Sequence, residues 1–290
     1  MNKSVSLYIP CYNAEKTISE CLEGALAQIY PLEEIIVIDD GSTDDTLLIA
    51  KQYPVRTISL NKNYGLGYVR NVALLEIKSE FVASLDADCV PDKDWLKNLL
   101  EEFDNHQDKM VVGVGGKLIE SQKNSLADSW RSKHRPQHWG ETLAVNPPYL
   151  SGSNTVFRRE IIVELGQYSL QYQTNYEDVD LSQRSIYCGY RLIYTPKAQV
   201  NHLRKDSFWS LIKANQKKHY YCEYNSSNTL KRFFLKCKIN FLQFNKDIKV
   251  DIRDRSVLGF SISLVIFAIN ALSDFILFIK QKNNQVVTEI

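Results

Sequence analysis

Between residues 4 and about 120, short β-branched runs alternate with helical patterns, and nothing else in the chain constrains its fold as strongly. Residues 4–9, 34–39, 56–60 and 80–86 read as strands, each rich in Val and Ile and bounded by Pro, Gly or Asp. Between the first two, Ile18, Cys21, Leu22, Ala25 and Leu26 fall at i, i+3, i+4, i+7 and i+8, one stripe of an amphipathic helix. Ser42 with Asp45 three residues on resembles a capping box and predicts a second helix through Leu47, Leu48 and Ala50. A third helix is predicted over 66–77. Such alternation implies right-handed crossovers and an α/β fold, a parallel sheet with helices on both faces. Ligands then bind beyond the carboxyl ends of the strands, at the switch point. The chemistry is expected just after Ile9, Ile38, Leu60 and Leu85.

The second half is less regular. Strands are predicted at 110–119, 156–157, 192–194 and 198–200, with a helix over 179–188 ended by Gly189. Residues 120–150 read as one long connection, the kind that carries function or moves. A chain of 290 residues with 44% hydrophobic and 24% charged residues is globular, which excludes disordered and collagen-like classes. Its six cysteines form no CxxC pair, so neither a zinc ribbon nor a disulfide scaffold is indicated and the thiols read as reduced. The first ten residues, broken by Pro10, read as a strand and not as a signal peptide.

The net charge of +1 hides an asymmetry. Residues 1–202 hold 20 Lys/Arg against 27 Asp/Glu, whereas 203–255 hold 13 against 5. The basic segment admits nucleic acid as a partner, but its neighbour favours a membrane. Residues 257–279 form a run of 23 in which Asn270 and Asp274 are the strongly polar members. As a helix this run is about 34 Å long, enough for a hydrocarbon core of ~30 Å. Upstream, Lys231, Arg232, Lys236, Lys238 and Lys246 interleave with Phe233, Phe234, Phe241 and Phe244, which suits a headgroup interface. A buried helix of the soluble body is the competing reading, and Asp274 keeps an in-plane helix open. Three parts are expected: a body over 1–202, a basic aromatic neck over 203–255 and an apolar helix with a short tail over 256–290.

Acidic clusters end the strands. Asp39 and Asp40 follow the second, Asp86 and Asp88 follow the fourth, and Glu177, Asp178 and Asp180 open a helix. Two carboxylates two residues apart at a strand end can converge on a hard divalent cation, Mg²⁺ or Mn²⁺, and leave positions for phosphate oxygens. Asp44 and Asp45 read as turn or N-cap residues. Gly65-x-Gly67 lacks the third glycine of a dinucleotide fingerprint and follows the wrong strand. It reads better as a turn into a helix whose Arg70 faces a diphosphate. His134 and His138 are spaced i, i+4, but Pro136 spoils the helix a zinc site needs, so they read as surface of the connection.

Taken in order, these segments resemble the family 2 glycosyltransferases, whose fold is the nucleotide-sugar-binding GT-A type. The matching pieces are Ser-Leu-Tyr-Ile-Pro-Cys-Tyr-Asn (6–13), Ile-Asp-Asp-Gly-Ser-Thr-Asp-Asp-Thr (38–46), Asn63-x-Gly65 through Arg70-Asn71, and Leu-Asp-Ala-Asp (85–88). Ser-Gly-Ser-Asn (151–154), Glu-Asp-Val-Asp-Leu (177–181) and Gly189-Tyr190-Arg191 leading to His202 complete the set. The likeness covers about two-thirds of the chain. It implies that Pro10 and Tyr12 flank the base, and that Asp40, beside Asp39, accepts hydrogen bonds from base or ribose. It further implies that Asp86 holds ribose or a metal-bound water, and that Asp88 and a neutral His202 ligate the metal. Asp178 would be the general base, Glu177 would contact acceptor or sugar, and Asp180 would be structural.

Gln216-Lys217-Lys218-His219-Tyr220 lies where processive synthases carry Gln-x-x-Arg-Trp, and the replaced last two residues imply one sugar per visit. The reading is an inverting, metal-dependent transferase at the cytoplasmic membrane face. It would use a nucleotide sugar, UDP-linked by preference, and a lipid-linked or cell-surface glycan acceptor, with no nucleic-acid partner. An inactive nucleotide-sugar-binding scaffold of the same fold would lack the base or the metal pair, and both are present. A nucleotidyltransferase would need a Gly/Arg/Lys-rich triphosphate loop after the first strand, where this chain has Cys-Tyr-Asn-Ala-Glu.

Overall fold

A computed structural model describes residues 3–106, 109–172, 176–221 and 229–288. The chain divides into two compact units, one of residues 1–121 and 137–204 and one of residues 122–136 and 205–290.

The first unit opens with β1 (Val5–Cys11), α1 (Ile18–Leu26), β2 (Glu34–Asp39), α2 (Thr46–Ala50), β3 (Arg56–Ser59), α3 (Leu66–Glu76) and β4 (Phe81–Leu85). These four strands are parallel in the order β3-β2-β1-β4. All seven residues of β1 are buried, because helices cover both faces of the sheet. Val5, Leu7 and Ile9 pack against Ile18, Cys21, Leu22 and Ala25 of α1. Tyr8, on the opposite face, packs with Val69, Ala73 and Leu74 of α3. Each fully buried Ile or Leu of these faces contributes about 1.5–3 kcal/mol.

The chain winds from β1 outward to β3, then returns to place β4 on the other side of β1, which makes the β1–β4 boundary the switch point. Next come β5 (Cys89–Pro91), α4 (Trp95–Asn105), β6 (Val111–Glu120), α5 (Leu126–His134) of the second unit, and β7 (Ala144–Val145). The unit closes with β8 (Asn154–Arg158), α6 (Arg159–Glu164), α7 (Glu177–Tyr187) and β9 (Arg191–His202). They extend the sheet as β4-β8-β6-β9-β5, with β8 antiparallel to both β4 and β6, β9 parallel to β6, and β5 antiparallel to β9.

Three expectations change. The strands expected at 192–194 and 198–200 are one strand, β9, whose register against β6 shifts where Gly116 and Lys117 meet Thr195 and Gln199. The bulge accommodates Pro196, which has no N–H to give the ladder. The capping box does not form: α2 starts at Thr46, while Ser42 Oγ accepts the Asn13 N–H at 2.9 Å and the Ser42 N–H goes to Asp39. Residues 120–150 are not one open connection, since they hold α5 and β7.

The second unit comprises α5, α8 (Phe208–Tyr221), α9 (Thr229–Arg253) and α10 (Val257–Thr288). Its apolar core joins Ala127, Trp130, Leu211, Ile212, Ile262 and Ile266. The inner face of α9 is polar. Asp251 accepts from His134 Nε2 at 2.9 Å and from Ser263 Oγ at 2.6 Å, and Asp247 takes a two-pronged bond from Arg135 at 2.6 and 2.9 Å. His134 is therefore no surface residue: it is buried, with its ring stacked on Trp130. Residues Val257–Lys280 of α10 have a mean hydropathy of 2.3 over their most apolar window, with 28% of it buried, and are long enough to cross a membrane. Of the Gln-Lys-Lys-His-Tyr segment, Gln216 and His219 lie on α8, and the side chains of Lys218 and Tyr220 fall outside the described residues.

Candidate active site

Arg70 is the centre from which the site is built. It sits on the buried face of α3, 1% exposed. Its Nη1 donates to Tyr8 Oη at 3.0 Å, Ser84 Oγ at 2.5 Å and the Gly152 carbonyl at 3.0 Å, and Nη2 donates to Asp86 at 3.1 Å. Nε lies 3.4 Å from Glu177 Oε1. A Cβ at position 152 would strike this guanidinium, so only glycine lets the chain pass there. The expectation that Arg70 faces a diphosphate is corrected: the guanidinium is 1% exposed and both Nη groups bond inside the protein, so it ties β1, β4, the 151–153 turn and α7 together.

Glu177 and Asp178 open α7 directly after Tyr176, whose φ of +91° is uncommon for a bulky residue. Glu177 is 2% exposed, so the expected contact with acceptor or sugar is replaced by a buried pairing with Arg70. Burial and the neighbouring Asp178 push its carboxyl up to about 7, against the pull of Arg70. Asp178 reaches the surface in part. Its Oδ2 accepts the Gly152 N–H at 3.0 Å and Oδ1 accepts the Val179 N–H at 2.8 Å. Asp180 pairs with Arg184 one turn on, as expected of a structural residue.

Asp86, at the end of β4, has its pKa raised by burial, offset by Arg70, and it also feels Asp88, His202 and Asp178. These groups share one electrostatic neighbourhood at the switch point. Asp88 Oδ2 lies 3.2 Å from His202 Nε2, while His202 Nδ1 meets both oxygens of Glu120 at 3.0–3.1 Å. Burial would lower the His202 pKa, yet the hydrogen bonds and charges of Asp88 and Glu120 carry it up to about 9. Burial acts to raise Asp88, but His202 and Arg204 hold it below the usual carboxylate range. Glu120 was not singled out from the sequence. The signal is register, because β6 and β9 place Glu120 opposite His202.

Asp88, Cys89 and His202 each offer a ligand atom, all within 4.8 Å of one another. The donor set fits a divalent cation through the Asp88 carboxylate and the His202 imidazole, with Glu120 orienting the ring from behind. Cys89 does not belong in the set: burial, then Asp88 and Asp86, push its thiol far up, and a neutral thiol is a poor ligand for a hard cation.

At the other strand ends the carboxylates fasten loops. Asp40 accepts the N–H groups of Tyr64 and Gly65 at 2.8 and 2.9 Å, and Gly65 takes a φ of +92° to start α3. Burial raises the Asp40 pKa, with those two bonds opposing. Asp39, 2% exposed, accepts from the Ser42 N–H and Ser59 Oγ. Pro10 is buried in β1, Tyr12 is 48% exposed beyond it, and Asn63 is exposed on the turn before α3. Tyr64 stacks on Tyr68 with centroids 4.6 Å apart, and Lys62 lies over the Tyr64 ring.

Residues 6–166 match the profile of Glycosyl transferase family 2. The Poly-beta-1,6-N-acetyl-D-glucosamine synthase of Staphylococcus aureus (strain COL) is 27% identical over 220 residues, covering 73% of this chain and 52% of the relative. That of Staphylococcus epidermidis is 25% identical over 299 residues, covering 92% and 70%. The chain thus spans about half the length of several curated relatives. Among solved structures, S. aureus TarS 1-349 in complex with UDP-GlcNAc superposes with a TM-score of 0.56 at 22% identity, covering 75% of this chain and 66% of that one. The mannosyltransferase PcManGT from Pyrobaculum calidifontis, in complex with GDP-Man and Mn²⁺, gives 0.58 at 18% identity, covering 99% and 81%. Both share this fold.

Proposed function

The chain belongs to glycosyl transferase family 2, and from that premise we propose an inverting, metal-dependent transferase. It moves a hexose-type sugar from a nucleoside diphosphate, UDP foremost, to a hydroxyl of a lipid-linked or cell-surface glycan at the cytoplasmic membrane face. The UDP-GlcNAc complex of TarS and the names of the staphylococcal relatives support the choice of donor and acceptor class.

Inversion needs a base on the face opposite the departing diphosphate, within reach of the acceptor hydroxyl. One observation carries the assignment: of the two adjacent carboxylates, Glu177 is sealed against Arg70, whereas Asp178 reaches the surface, held in place by the Gly152 N–H. Asp178 accepts the hydroxyl proton. Asp88 and His202 would hold the cation, which when bound supplies Lewis-acid neutralisation of the leaving diphosphate. Glu120 keeps the His202 Nδ1 proton, and Nε2 would turn to the cation once binding displaces the proton it shares with Asp88. Tyr12 gives its exposed ring to the base, and Asp40 holds the turn carrying Asn63 and Gly65 beside it. The exposed apolar face of α10, with Leu264, Leu272 and Phe275, supports the membrane assignment.

The test is donor turnover with Mn²⁺, read as UDP release. Asp178→Asn is expected to lower kcat by about 10²–10⁴, the usual worth of a general base, with UDP affinity within a few-fold of the unaltered chain. An equal loss of UDP affinity makes Asp178 a donor-site residue and overturns its role as base.

A further inference from the structure

Helix α10 is apolar by composition but two-sided in structure. Its exposed positions, among them Val257, Phe260, Leu264, Leu272, Phe275 and Ile279, fall on one stripe at helical spacing and carry no charge. The opposite side carries Ser263, Asn270 and Asp274, all buried. Ser263 Oγ donates to Asp251 of α9 at 2.6 Å, Asn270 donates to Asn240 of α9 at 3.4 Å, and Asp274 Oδ2 accepts from His219 Nε2 of α8 at 2.8 Å. Residues 254–256 alone join α9 to α10, so the two helices run antiparallel. Their contact lasts most of their length: Phe233 meets Phe278 and Phe244 stacks on Phe267, with ring centroids 4.8 and 4.5 Å apart.

Helix α9 has a different outer side. Leu230, Phe234, Phe241 and Ile252 form an exposed apolar stripe, and Lys238, Lys246 and Lys249, also exposed, border it. None of these three lysines has an ion-pair partner among the described residues. The acids of this helix, Asp247 and Asp251, are buried and spent on Arg135, His134 and Ser263, so its exposed charge is all positive. This pairing decides how α10 can meet a bilayer. Its length suits a span, but length does not separate a spanning helix from one lying in the interface. Crossing as packed, α10 would draw α9 in beside it and bring Lys238, Lys246 and Lys249 into hydrocarbon. Crossing alone, it would take Asn270 and Asp274 from their partners and set them against acyl chains. Lying in plane, it keeps all these bonds and buries the stripe that is already exposed.

We propose that α10 lies in the plane of an anionic membrane surface and does not cross it. The Leu264, Leu272 and Phe275 side sinks among the acyl chains, and Lys238, Lys246 and Lys249 of α9 meet the lipid phosphates. This arrangement presupposes the membrane assignment above and adds to it a geometry and a lipid charge. An anionic leaflet is favoured over a second copy of this chain, because a copy would present the same lysines and no exposed acid of α9 to match them.

The first experiment maps topology with the unaltered full chain carrying an epitope after Ile290. Protease is added to spheroplasts and to inverted membrane vesicles of bacteria expressing it. The epitope should be cut in inverted vesicles and protected in spheroplasts, on the same side as the body. An epitope cut in spheroplasts means that α10 spans, which overturns the in-plane helix and leaves the membrane assignment standing. The second experiment measures binding of the purified full chain to phosphatidylcholine vesicles with and without phosphatidylglycerol at low salt. Phosphatidylglycerol should tighten binding on the order of tenfold or more. The triple substitution Lys238→Ala, Lys246→Ala and Lys249→Ala should reduce that preference to about threefold or less and leave UDP release unchanged. Indifference to phosphatidylglycerol, or a preference the triple variant retains, overturns the role of α9. Recovery as a soluble dimer that binds neither vesicle defeats the membrane assignment and the in-plane helix together, with donor turnover still to be read independently as UDP release.

Discussion

Replacing Arg70 by methionine should destabilise the first unit strongly, and by an amount that depends on pH. The substitution keeps most of the side-chain bulk but removes a guanidinium that is 1% exposed and serves Tyr8, Ser84, Gly152, Asp86 and Glu177. Breaking a buried ion pair by removing one partner costs about 3–5 kcal/mol, because the other charge is stranded. Here the stranded charge is Glu177, 2% exposed. For a unit of this size, each kcal/mol is worth roughly 2–4 °C, so Tm should fall by on the order of 10 °C. The pH dependence follows from the Glu177 carboxyl, raised in the folded chain to about 7 from its ordinary 4.5. A raised acid binds its proton more tightly in the folded state, so its contribution weakens stability as pH climbs from 4.5 to 7. Without Arg70 the folded value moves higher still and the decline continues past 7. The Tm difference between the native chain and Arg70→Met should therefore be larger at pH 8 than at pH 5. Arg70→Met combined with Glu177→Gln should recover part of it. Thermal unfolding of the three full-length chains at both pH values, followed by circular dichroism, reads these differences. An unchanged Tm, or equal differences at the two pH values, would refute the claim that Arg70 holds a buried charge.

Three further outcomes are expected. Glu120→Gln should weaken Mn²⁺ affinity by about 10–100-fold, the usual cost of removing a carboxylate behind a ligating histidine, and excess EDTA or Asp88→Ala should abolish turnover; full activity in EDTA removes the metal from the mechanism. Gly116→Ala should not yield folded protein, because the new methyl would fall on the Ala198 carbonyl and the Asn154 side chain at the β6–β9 bulge; a soluble variant with native Tm contradicts the close approach. Leu264→Lys with Leu272→Lys, both on the exposed face of α10, should release the chain from membranes that otherwise retain it in high salt. This test is preferred to cutting before Val257, which would strip Ile262 and Ile266 from the core around Trp130, and recovery of the unaltered chain in the soluble fraction at low salt defeats the membrane assignment.

Local order carries its own sequence signal, and that part of the protein was legible. The runs that became β1, β2 and β4 are apolar because helices cover both faces, whereas β3 lies at the sheet edge and is only half-buried, and the stripe of α1 has helical period because one side meets the sheet. Asp39, Asp40, Asp86 and Asp88 end strands, and strand ends follow directly from strands. Glu177 and Asp178 were found together, but which is buried and which reaches the surface depends on Arg70, 107 positions earlier in the chain. Helix α4 carries an equally local signal, the stripe Trp95, Leu96, Leu99, Leu100 and Phe103. Other features had no local signal. Glu120 faces His202 only through the pairing of β6 with β9. The Asp40 carboxylate turns to the amides of Tyr64 and Gly65 because β2 and β3 end side by side. Residues 122–136 join the helical unit because Trp130, Arg131 and His134 find Ser263, Asp206 and Asp251 there. A sequence fixes which groups prefer burial, strand or helix, since those preferences act within a few residues; which buried charge meets which partner is a matter of chain topology, and tertiary structure alone decides it.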